Sequence, residues 1–116
     1  MEMAKNSSEY IQFLLAKNDI AVERAIVAIY RRQTRDERDS NSTIEPNGIG
    51  FSGTDARLGS YYAKWVLSGK NLSGQHLIKA RNMAYKYTRQ LVEIATQKME
   101  AEKAYVDSER ASIQSV

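Results

Sequence analysis

Between Arg57 and Arg89 this chain alternates cations with flat rings. Arg57, Lys64, Lys70, Lys79, Arg81, Lys86 and Arg89 are interleaved with Tyr61, Tyr62, Trp65, Tyr85 and Tyr87. No Asp or Glu occurs from Ala56 to Val92, so that span carries seven positive charges and no negative ones. The flanks are weakly acidic, which reduces the whole chain to a net +3. The modest total therefore hides a basic centre. Cations match the phosphates of a nucleic acid, and flat rings match the faces of unpaired bases. Lys79, Arg81, Lys86 and Arg89 are candidates to hold phosphates. Tyr61 and Tyr85 are candidate stacking faces, and Arg57, Lys64 and Lys70 widen the basic field. Tyr62, Trp65 and Tyr87 are better suited to the core. Two other readings fit the same composition: a solvated basic face over buried rings, and a surface that docks on an acidic protein partner.

Other chemistry is poorly supplied. His76 is the only histidine and there is no cysteine, so thiolate metal sites and disulfides are excluded and a structural zinc site has too few ligands. No glycine-framed nucleophile accompanies His76, which reads as a helix-start residue and not as a general base. The carboxylates of Asp36 and Glu37, and of Glu100 and Glu102, lie in charge-mixed segments. Asp55, the one acid beside the basic centre, is in place to cap a helix. Gly48, Gly50 and Gly53 match G-x-G-x-x-G formally, but no strand precedes them and no βαβ pattern surrounds them. They read as a turn that tucks Ile49 and Phe51 into the core. Arg31 to Asp39, RRQTRDERD, reads as a solvated helix end with local ion pairs, or else as an arginine cluster for phosphate. The expectation is a protein without catalysis, metal or cofactor.

The elements that position these residues are helical. Asn6 and Glu9 have capping-box spacing and start a first helix near Ser7. Asp19 caps a second helix over Ile20 to Thr34, whose Val22, Ala25, Ile26, Ile29 and Tyr30 form one buried stripe. A long connection from Arg35 to Thr54 follows, containing the only proline, Pro46. A third helix runs from Asp55 to Ser68, with Leu58, Tyr62, Trp65 and Val66 on one face. Gly69 stops it in the left-handed conformation. Leu72 and Ser73 staple and cap a fourth helix, which runs from Gly74 to at least Gln97. One apolar row on that helix, from Leu77 to Ile94, faces the core. A second row, Ile78, Tyr85, Val92 and Met99, repeats every seven residues and suits a partner helix or a homodimer. The result is an all-α fold: a single helical domain over residues 1–95 and an exposed helical extension or frayed tail over 96–116. No run approaches the roughly 20 apolar residues of a membrane span, and the polar N-terminus lacks a signal-peptide pattern, which points to a cytoplasmic protein.

The pattern N-G-x-G-F-x-x-x-D-A, then S-G-x-x-L-S, then A-R-x-x-x-x-K-Y-x-x-Q-L resembles a small domain of bacteriophage and plasmid proteins. That domain occurs alone or beside helicase-like replication and recombination domains. The matching positions are Asn47, Gly48, Gly50, Phe51, Asp55 and Ala56, then Ser68, Gly69, Leu72 and Ser73, then Ala80, Arg81, Lys86, Tyr87, Gln90 and Leu91. The resemblance implies a mobile-element accessory protein and offers Lys86, Tyr87 and Gln90 as a binding surface. Two expectations follow. One is nucleic-acid binding, single-stranded by preference. The other is a phage-encoded inhibitor that binds a host protein, such as a CRISPR or other defence component.

Overall fold

The computed structural model describes residues 3–40 and 49–114. It is all-α, with five helices: α1 (Ser8–Lys17), α2 (Asp19–Ser40), α3 (Ala56–Leu67), α4 (Gly74–Lys86) and α5 (Thr88–Gln114). No strand occurs among the described residues, and no helix is long and apolar enough to cross a membrane.

α2 is the axis of the fold, packing against all four other helices. Val22, Ile26 and Ile29 are fully buried, as their spacing predicts. Each such side chain contributes about 1.5–3 kcal/mol of burial. Tyr62 and Ala63 of α3, Ala80, Met83 and Ala84 of α4, and Leu91 of α5 close the core around them. α1 adds Leu15 and lies against α2, α4 and α5.

Caps fall one residue from their expected places. The Ser7 hydroxyl, not Asn6, accepts from the Tyr10 amide, while Asn6 donates to Thr96 of α5. The Asn18 side chain accepts from the Ala21 amide, so Asp19 is already the first residue of α2. α2 also continues to Ser40, through the whole of the charged run expected to end it. Of the rest of the predicted 35–54 connection, residues 41–48 lie outside the described residues and 49–54 form the loop before α3. Gly69 stops α3 with φ +93°, as expected.

Two expectations on the helices are corrected. Leu58 is exposed, because Gly59 occupies the inward position. A Cβ on Gly59 would lie 2.6 Å from the Phe51 ring, so glycine is what lets that ring seat against α3. The single long fourth helix is two helices. The chain bends at Tyr87 (φ −106°, ψ 21°), whose amide turns back to Ala84 and Tyr85, and Thr88 Oγ1 takes the Tyr85 carbonyl. The bend breaks the seven-residue row: Ile78 and Met99 are exposed, while Tyr85 and Val92 are half-buried.

Candidate nucleic-acid interface

The bend at Tyr87 is held by the loop that precedes α3. The Gln90 amide grips Gly50 from both sides, accepting its N–H at 2.8 Å and donating to its carbonyl at 2.9 Å. The Phe51 amide donates to Gln33, and the Ser52 amide donates to the Tyr87 hydroxyl. The three consecutive amides of Gly50, Phe51 and Ser52 thus end on side-chain acceptors and are not free to cradle a phosphate. Gly50 needs its positive φ of 82°, and a Cβ there would meet Gln33 at 2.4 Å. Phe51 packs edge-on against Tyr87, with centroids 5.6 Å apart.

Asp55 begins α3 but makes no side-chain cap. Its buried carboxylate accepts the Tyr87 hydroxyl proton at 2.6 Å and two contacts from Lys86 Nζ at 3.2 Å. Burial, and then the hydrogen bond to Asp55, push the Tyr87 phenol above its ordinary value of 10.0. Tyr87 and Gln90 are therefore interior fastenings, 7% and 5% exposed, and not the binding surface that the resemblance offered.

The remaining cations divide into two groups. Arg81 bonds the Leu15 carbonyl and pairs with Asp19. Lys86 pairs with Asp55, and Arg89 approaches Glu93 at 3.9 Å. Arg81 and Lys86 thus tie α4 to α1, to α2 and to the residue that begins α3, whereas Arg89 is 78% exposed and meets Glu93 only one turn along its own helix. Tyr85 is half-buried and its hydroxyl reaches the Gln12 carbonyl of α1. By contrast Arg57, Lys64, Lys70 and Lys79 are exposed, and among the described residues none of them pairs with a carboxylate.

Three of these four frame the outer face of α3. Arg57, Tyr61 and Lys64 recur at i, i+4 and i+7, so they share one side of the helix and line one shallow depression with Leu58. The Tyr61 ring is 56% exposed and lies nearly parallel to Trp65, with centroids 6.4 Å apart at 27°. Trp65, expected in the core, is half-buried at the surface. Its indole N–H donates to the Asn71 carbonyl at 3.0 Å, which fixes the ring. The Gly69 turn brings Lys70 back over that ring, 4.3 Å from its centroid. Such a cation over an indole contributes about 0.5–1 kcal/mol at an exposed site. His76 bonds the Tyr62 hydroxyl at 3.1 Å, which gives it a structural task at the end of the platform. Lys79 lies one helical turn further along α4.

Two polar features were missed from sequence. Glu23 is buried on α2 and accepts the Leu72 amide at 2.6 Å, fixing the turn that carries Lys70. Its spacing of three and four residues before the buried Ile26 and Val27 was the available signal. Arg32 crosses to α5 and bonds Glu93 at 2.6 Å, which holds that carboxyl below the ordinary range. Comparisons with protein-family models, with curated proteins and with solved structures find no match to this chain.

Proposed function

We propose that this protein binds single-stranded nucleic acid, without catalysis, through the outer face of α3. The observation that carries the reading is the Tyr61–Trp65 pair, stacked at the surface and framed by Arg57, Lys64 and Lys70, which pair with no carboxylate among the described residues. A stacking ring on a basic field is what an unpaired strand requires. Exposed Tyr and Trp also anchor protein–protein interfaces, so the test must separate a strand from an acidic protein partner. The resemblance to domains found beside replication and recombination helicases supports the same reading, in an accessory protein of a phage or plasmid.

Fluorescence anisotropy with a labelled single-stranded oligonucleotide tests it. Three phosphate contacts give a log–log salt slope of about −2, so affinity should fall about 20-fold between 50 and 200 mM salt. Tyr61→Ala should weaken binding about 5- to 150-fold, the equivalent of one stacked base, and Lys64→Glu should flatten the salt slope. No binding at low salt would overturn the proposal. A host protein retained from nuclease-treated lysate would then favour the inhibitor reading.

A further inference from the structure

A second basic surface lies away from α3, in the cleft between α2 and α5. Ala28, Arg31, Arg32 and Arg35 follow one another at i, i+3, i+4 and i+7 on α2. Ile94, Gln97, Lys98 and Ala101 repeat the same spacing on α5. The two rows face each other across a cleft of about 700 Å³, with Ile49 at its side. This volume falls within the usual range for small-molecule sites.

Among the described residues the charges in this cleft do not cancel. Glu93 beside it is already bound to Arg32, and Arg32 also donates to the Gln90 side-chain amide oxygen at 3.4 Å. Arg31, Arg35 and Lys98 remain exposed, and among the described residues none of them pairs with a carboxylate. Three like charges around an apolar floor of Ala28, Ile49, Ile94 and Ala101 repel one another and focus a positive potential into the cleft. The arrangement suits an anion. Guanidinium forks match phosphate oxygens in pairs, and an apolar floor suits a flat body attached to that phosphate.

We infer that the α2–α5 cleft binds a nucleoside phosphate, its phosphate held by Arg31, Arg35 and Lys98 and its base against the apolar floor. The inference does not rest on the α3 reading, since no residue is shared between the two surfaces. The phosphate can belong to a free nucleotide or to the end of a strand.

Calorimetric titration of the full chain with AMP, adenosine and inorganic phosphate at low salt tests it. AMP should bind at one equivalent, with adenosine weaker by about tenfold or more, the loss of one or two charge-assisted hydrogen bonds. The double variant Arg31→Gln/Arg35→Gln should lose AMP affinity by a similar factor with an unchanged melting temperature, because both side chains are exposed. Lys98→Gln should lose part of it, and Tyr61→Ala none. Displacement of AMP by a 5′-phosphorylated oligonucleotide would identify a strand end as the source, and failure to displace it a free nucleotide. Equal binding of AMP and adenosine, absence of AMP binding, or full binding by the double variant would overturn the inference. Oligonucleotide binding without AMP binding would remove the cleft alone. AMP binding without oligonucleotide binding would remove the α3 site alone.

Discussion

Gln90 makes three hydrogen bonds from a position 5% exposed, and two of them satisfy the backbone of one glycine. Gln90→Ala should therefore strand a buried N–H and a buried carbonyl at Gly50. The expected cost is about 2–3 kcal/mol, read as a drop of roughly 10–20 °C in melting temperature. A drop below about 2 °C would mean that water replaces the side chain. Tyr87 gives the neighbouring prediction, through pH. Its phenol titrates above 10.0 in the folded chain because burial and the bond to Asp55 favour the protonated form. The stabilisation is complete below the unfolded value and is lost as pH rises through the folded one. Melting temperature should thus fall on the alkaline side, above about pH 10. Tyr62, raised chiefly by burial, adds to the same slope. Tyr87→Phe should be less stable at neutral pH, where the Ser52 amide loses its acceptor, yet show a shallower alkaline decline. An unchanged decline would assign the slope to Tyr62.

At the scale of elements, Gly59 decides how the loop meets the bundle. Gly59→Ala should push the Phe51 ring out of its seat, since the new Cβ would stand 2.6 Å from it. Overpacking of this kind costs about 1–3 kcal/mol. Gly53→Ala meets nothing within 4 Å and serves as the control in the same thermal melts. This element also shows what could be read in advance. The α2 stripe was legible because a helix buried along one side repeats its apolar residues at the helical period. The phase of α3 was not, because the core at this point requires the absence of a side chain, and Leu58 next door is the more hydrophobic choice. The bend at Tyr87 was hidden for a related reason. The apolar period continues through it, and its cause is a set of hydrogen bonds to a loop some 35 positions earlier in the chain. The cations of the candidate interface were all visible as charges. Which of them are paired depends on Asp19 and Asp55, which only the fold brings close to Arg81 and Lys86, and on Glu93, whose i, i+4 spacing from Arg89 was legible in advance.

Over the whole molecule, the radius of gyration is 16.4 Å, against about 13 Å for a compact domain of this length. The excess follows from α5. Beyond Thr96, which still bonds Asn6, residues 97–113 are exposed throughout. A helix of that length is marginal in water unless its residues favour helix or something covers it, and the Ala, Glu and Lys of this stretch do favour it. The domain proper should then stand without its end. A chain stopped after Glu102 keeps Lys98 and Ala101 at the α2–α5 cleft and removes no core residue. Its melting temperature should stay within about 2 °C of the full chain, because exposed substitutions and deletions away from the core cost little. Far-UV circular dichroism should record the lost helix. The competing expectation is the homodimer through the row Ile78, Tyr85, Val92 and Met99, and α5 extends that row with Val106 and Ile113, exposed like Met99 at seven-residue intervals. A dimer buried on that row would make the melting temperature rise with protein concentration and fall by several degrees on truncation. Concentration-independent melting with an unaffected truncation would leave α5 as a free arm, and both candidate sites on a monomer.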